Sequence, residues 1–341
     1  LDAFRTQVRI CLDEEQTNPA RTNALYWADQ AISHFELHPE APGLEIAARL
    51  LKLDVYYDEI QSQPADMTAR RSIIQNGMPV FNKMDALMAS IPITAEPLQP
   101  KVRARIERIG SSFLYESAKP EDAGTGKWDM GTLDLALKHA LRSAEYDPAG
   151  GRVPILRTLR RIFVEDPDQH RQRVTDQMIK LKLEVERVYR DAKPEELPFL
   201  NNYAVLTHEM LVHHNVQPPP EDMIKLHADY AVRLQERVLG YVETSDKARF
   251  AVGRKADFIF DLARMTALQA ELNQPSQPEA ARRYHDYAVS LILRIENDPK
   301  IAADSRKMLF KSMFAQPELK QVIQSPELQN IVNYARSLNS P

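Results

Sequence analysis

Cysteine is almost absent: Cys11 stands alone in 341 residues. A single thiol excludes an intrachain disulfide framework and a multi-thiolate metal site. It leaves Cys11 as a small residue on an apolar helix face. Glycine is scarce as well, with ten in all, well under half the usual share of about 7%. Few glycines beside frequent Ala, Leu, Arg, Glu and Gln favour helix. No apolar run approaches the roughly 18 residues of a membrane span, and no signal-peptide pattern opens the chain. The expectation is an intracellular protein, cytoplasmic or nuclear, with no membrane partner. Positive charge is not in surplus either. Lys and Arg number 44 against 48 Asp and Glu, a net charge of −4, which argues against a general nucleic-acid binder.

What is present is helical periodicity. Phe4, Val8 and Cys11 share a face over 2–15, as do Leu25, Ala28, Ile32 and Phe35 over 20–37, and Ile46, Leu50, Leu53 and Tyr57 over 43–62. The 23 prolines fall mostly in polar punctuation, as in Asn18-Pro19, His38-Pro39, Asp147-Pro148 and Asp298-Pro299, where proline stops one helix or starts the next. Asn76-Gly77-Met78-Pro79 predicts a break within the helix that begins near 66. Residues 91–100, with three prolines, read as a linker and a point of subdivision in an otherwise single domain over 1–341. Further on, Pro154 opens a helix through Phe163, and Val174, Met178, Leu181, Val185 and Val188 mark a long amphipathic one. Residues 247–272 and 278–297 form a pair, and shorter helices follow to 339. The pattern gives roughly thirteen helices and no strand, with short connections that suit antiparallel neighbours.

The clearest local signal runs from Ile106 to Pro148. Ile106, Ile109 and Phe113 make one face, and Gly110 removes a side chain where a neighbouring helix could come close. Ala136, Ala140 and Ser143 precede Asp147-Pro148 on a second helix. This pattern resembles the tetratricopeptide repeat: an apolar residue, then Leu-Gly-x-x-Tyr in the first helix, then Ala, an apolar or aromatic residue, Ala and Pro in the second. Two departures stand out. Ser143 replaces an alanine, and 118–131 is an insertion that lengthens the turn by fourteen residues. Elsewhere the match is loose. The resemblance implies an all-α fold of antiparallel helix pairs stacked as an α-solenoid, a tetratricopeptide-like superhelix. It also implies a scaffold that binds a peptide or helix of a protein partner on a concave surface.

Chemical signatures fail on spacing. His208-Glu209 with His213-His214 resembles a zinc-protease motif, which needs its histidines four apart. Here His208 and His213 are five apart, roughly 140° around the helix, and only Glu209 and His213 share a face. Gly124-Thr125-Gly126-Lys127 has Glu121 and Trp128 where a phosphate loop needs Gly and Ser or Thr. No Gly-x-Ser-x-Gly elbow occurs, and no Asp-Asp pair. Two tryptophans are a poor supply of sugar-stacking platforms for a helical-barrel glycosidase. The expectation is therefore no catalytic residue, no metal and no cofactor. The alternative is an all-α enzyme of hydrolase or lyase type whose carboxylate site is not visible in the sequence.

Partner-binding candidates are the basic residues Arg103, Arg105, Arg157, Arg160 and Arg161, together with Trp128. Arg157, Arg160 and Arg161 lie within one helical turn and would draw an acidic segment, or would be solvated beside Asp166 and Asp168. Trp128 would either anchor a partner or tuck onto helix 132–146. The tyrosines at 56, 57, 284 and 287 read as core or rim.

Overall fold

Helix follows helix along the chain. The computed structural model describes residues 1–13, 18–38, 41–62, 67–90, 99–120, 126–191, 193, 196–213, 221–244 and 255–339. Among these residues there are fourteen α-helices, four single-turn 3-10 helices and no strand. None of the helices is long and apolar enough to cross a membrane. The chain divides into two compact units, residues 1–158 and 159–341.

The N-terminal unit holds α1 (Asp2–Asp13), α2 (Asn18–Glu36), α3 (Pro42–Ser62), α4 (Met67–Ser90), α5 (Pro100–Ser117), α6 (Met130–Tyr146) and most of α7 (Pro148–Glu165). From α1 to α6, each helix packs on the next. Helix α3 lies between α2 and α4, so both its sides are covered: Ala48, Leu51 and Val55 face one way, and Ile46, Leu53 and Tyr56 the other. The α1 stripe is as expected, with Val8 buried and Phe4 and Cys11 packed beside it. The Pro-rich stretch falls at 91–98 outside the described residues; α4 and α5 on either side of it share one core.

Two expectations about breaks are corrected. Helix α4 runs unbroken through Gly77 and Pro79. Proline costs the carbonyl four residues earlier its donor, but Gln75 and Pro79 both face solvent, where water can serve that carbonyl. Gly77 is there for packing: a Cβ would collide with the ring of Phe113. Likewise Pro154 does not open α7 but lies inside it, because the helix already starts at Pro148 and runs through Gly150 and Gly151. Asp147 caps that start by accepting from Gly150 N at 3.1 Å. Gly151 lets the α7 backbone close on Ala144 of α6.

The α5–α6 pair is antiparallel. Ser143 Oγ donates to the Ala104 carbonyl at 2.9 Å, and His139 Nδ1 meets Glu107 Oε2 at 2.6 Å, so positions run in opposite senses. Ala136 and Ala140 are buried at the contact, where small side chains let two helix backbones approach. Ser143 departs from the repeat pattern for a local reason: its hydroxyl, wholly buried, finds a backbone acceptor across the interface. Gly110 admits the ring of Phe81 from α4.

The C-terminal unit continues from the end of α7 with α8 (Pro167–Arg190), α9 (Leu197–Val212), α10 (Glu221–Thr244), α11 (Lys255–Asn273), α12 (Pro278–Asn297), α13 (Ala303–Ser312) and α14 (Gln329–Asn339). Four 3-10 turns between Met313 and Leu328 join α13 to α14. Asp166 caps α8 by accepting from Gln169 N at 3.1 Å. Helices α9 and α11 are buried nearly all round, as a helix apolar on every face must be. Helix α10 packs on both, and α12 packs on α11.

Candidate interaction site

Charged residues inside α9 and α11 need partners, because an unpaired buried charge costs several kcal/mol. They find them in each other. Arg264 of α11 donates through Nε to Glu318 Oε1 at 2.6 Å and through Nη1 to Glu209 Oε1 at 3.3 Å. Glu318 sits on the 3-10 turn Pro317–Leu319 and also meets His208 Nε2 at 2.9 Å. Arg160 donates to Glu209 at 3.0 Å, and His213 lies 3.6 Å from its other oxygen. Burial alone would raise the Glu318 carboxyl. The His208 hydrogen bond and the Arg264 charge more than reverse that and hold it at about 2. Glu209 is likewise pulled well below the carboxylate range, against burial, by His213, Arg264 and Arg160. Burial wins at Asp261, which is raised despite the same two arginines. These carboxylates are thus committed to the structure of the unit. His208 is a satisfied core histidine. Among the described residues no group of three His, Cys, Asp or Glu is placed to hold a metal.

The expected basic candidates are each engaged within the chain. In the N-terminal unit, Arg105 pairs with Asp54 at 2.9 Å and Arg103 stacks over Tyr146 at 5.1 Å. Arg157 lies 4.3 Å over the Tyr115 ring and donates to Ser112 Oγ at 3.3 Å. In the C-terminal unit, Arg160 serves Glu209, and Arg161 pairs with Glu165. The acids expected beside them, Asp166 and Asp168, do not supply these pairs; Asp166 is spent on the α8 cap. Trp128 is half-buried, and its ring meets Tyr115 of α5 at 5.2 Å. The structure therefore brings Trp128 and Arg157 together on one tyrosine. Residues 121–125 of the insertion lie outside the described residues.

A different surface is open. In the C-terminal unit a groove of about 680 Å³ is lined from α8, α9 and α10. Its walls are mainly apolar: Met178 and Ile179 from α8, Tyr203, Met210 and Leu211 from α9, Tyr230 from α10. Tyr203 and Tyr230 meet edge to face at 6.5 Å. Burial, with Glu186 nearby, pushes both phenols up, so they stay protonated. Among the described residues that line it, Arg171, Lys182 and Arg233 are cationic and Glu186 is a carboxylate. Arg233 is paired with Asp229 at 2.8 Å. Arg171 donates to the His213 carbonyl at 2.7 Å and stacks over Phe163, but no carboxylate among the described residues pairs with it or with Lys182. Desolvation and the nearby Lys182 charge push the His227 imidazole down. Beside the groove Ile179 and Leu183 are 64% and 77% exposed.

The sequence reading missed this groove. The α8 stripe it used, Val174, Met178, Leu181, Val185 and Val188, is the buried face, with Leu181 half-buried. The available signal was Ile179 and Leu183, two apolar residues four apart lying off that stripe.

No family model, curated protein or solved structure matches this chain. Its functional reading rests on the geometry.

Proposed function

We propose that the chain is a helical-repeat scaffold of tetratricopeptide-like type that binds a polypeptide partner, with no catalytic role. The observation that carries this reading is the α8–α9–α10 groove with Ile179 and Leu183 left bare at its edge. A long apolar trough with few convergent polar groups suits a partner's side chains; exposed apolar surface of this kind marks interaction sites. Antiparallel pairing of α5 and α6, and succession of neighbours through α1–α6, support the repeat reading. The enzyme reading draws less support, because Glu186 is the one carboxylate among the described residues of the groove, and the buried Glu209 and Glu318 are held by Arg264 and Arg160.

The test is a photo-crosslinking amino acid placed at position 179 of the full chain in its native cells. The expected result is a discrete polypeptide adduct that disappears with Leu183→Asp. Absence of any polypeptide adduct would overturn the scaffold reading.

A further inference from the structure

We infer that the groove takes an acidic amphipathic helix of the partner, apolar side down, with two carboxylates about eleven residues apart; this rests on the scaffold reading above. The argument is one of length, pattern and charge. Along α8 the lining runs from Arg171 to Glu186, about 22 Å at 1.5 Å per residue. That is about four turns of helix, far longer than a compact ligand needs. The α8 positions in the lining include 171, 175, 178, 179, 182 and 186. At 100° per residue they fall within an arc of about 100°, a single ridge against which another helix packs lengthwise.

The ridge has a charge pattern. Arg171 and Lys182 are three turns apart on nearly the same bearing, about 16 Å along the axis. Between them lie Met178 and Ile179, and Met210 and Leu211 of α9 line the same groove. A helix laid along this ridge would set apolar residues at i, i+3 or i+4, and i+7 over the methionines, which adapt to varied shapes. Its flanking carboxylates would meet Arg171 and Lys182. Both cations lack a carboxylate partner among the described residues, so the incoming acids need not displace one. Glu186 at one end disfavours an acidic residue placed a further turn along, which gives the site a register. A basic helix would put like charges together at two places and gain one pair.

The experiment is selection from a display library of 18-residue helical peptides against the full chain, with counter-selection against Ile179→Asp. The expected winners carry two acidic residues ten to twelve positions apart flanking an apolar stripe. Lys182→Glu, a change at an exposed residue with no carboxylate partner among the described residues, should weaken a winning peptide at least tenfold. A peptide with lysine at the matching position should regain affinity for that variant. Circular dichroism of both variants, matched to the parent, guards against misfolding. Winners without an acidic bias, or unaffected by Lys182→Glu, would sink the inference; so would oleate binding at the groove where no peptide does. In the first two cases a polypeptide crosslinked at position 179 would leave the scaffold reading standing. Without such an adduct both fall.

Discussion

Phe113 of α5 lays its ring on the bare backbone of Gly77 in α4, and Phe81 of α4 does the same at Gly110 of α5. The two helices interlock through a reciprocal aromatic-on-glycine contact inside one core. Each ring is almost wholly buried, so neither can swing aside. Alanine is the better helix former by roughly 0.5–1 kcal/mol, but a methyl here overpacks a filled core, which costs about 1–3 kcal/mol. Gly77→Ala and Gly110→Ala should each destabilise the chain in urea unfolding. Gly77→Ala combined with Phe113→Leu should cost less than the sum of the two, since the smaller side chain makes room. Strict additivity would show that the ring and the glycine are not coupled.

This contact also shows what was legible in the sequence. Helix positions were, because Val8, Ala28, Ile46 and Phe113 recur at the helical period. The α5–α6 pairing was, because Ala136 and Ala140 make a small-residue stripe. The unbroken α4 was not: Gly77 and Pro79 read locally as breakers, and only a ring arriving from another helix explains the glycine. The Arg264–Glu318 pair joins residues 54 apart in sequence, and no spacing rule reaches that far. A hint existed in the charged Arg264 set between the apolar residues Leu262, Ala263 and Met265 of α11. The groove was hidden for another reason. Which apolar residues stay bare depends on which helix faces find a neighbour, and Ile179 looks like any core isoleucine until α8 is placed.

Ser143 offers a small and clean test. Its buried hydroxyl gives the Ala104 carbonyl a cross-helix donor. Ser143→Ala restores the alanine of the repeat pattern and a slightly better helix former, but removes that hydrogen bond. The net loss should be about 1 kcal/mol in denaturant unfolding. A gain in stability would mean that the hydrogen bond is worth less than the helix propensity it displaces.

Trp128 and Arg157 both meet the Tyr115 ring, the indole tilted by 55° to it and the guanidinium 4.3 Å from its centre. An aromatic pair contributes about 0.5–1.5 kcal/mol beyond burial, and a guanidinium over a ring about 0.5–2 kcal/mol. Trp128→Ala should lower stability by roughly 1–2 kcal/mol, without touching the groove. In a double-mutant cycle, Trp128→Ala and Tyr115→Ala should couple by at least about 0.5 kcal/mol. Coupling indistinguishable from zero would mean the rings are adjacent without mutual support.

Acid should reach the core of the C-terminal unit through Glu318 and Glu209. Both carboxyls titrate lower in the folded chain than in the unfolded one. The unfolded chain therefore binds more protons in the interval between, and stability falls as pH drops through it. For Glu318 that interval runs from its ordinary 4.5 down to about 2; the contribution is fully present above about pH 5 and lost by the lower limit. A depression of this size corresponds to on the order of 3 kcal/mol at neutral pH. Glu318→Gln should remove most of that slope in urea midpoints measured between pH 5 and pH 2.5, while keeping the side chain's shape. Arg264→Met should behave differently. It leaves Glu318 and Glu209 buried without their shared cation, a loss of about 3–5 kcal/mol at neutral pH, and part of that loss should be recovered at low pH, where the orphaned carboxyls can take up protons. If Arg264→Met is instead as stable as the parent at pH 7, the buried ion pairs are not what holds the 3-10 turn Pro317–Leu319 against α9 and α11.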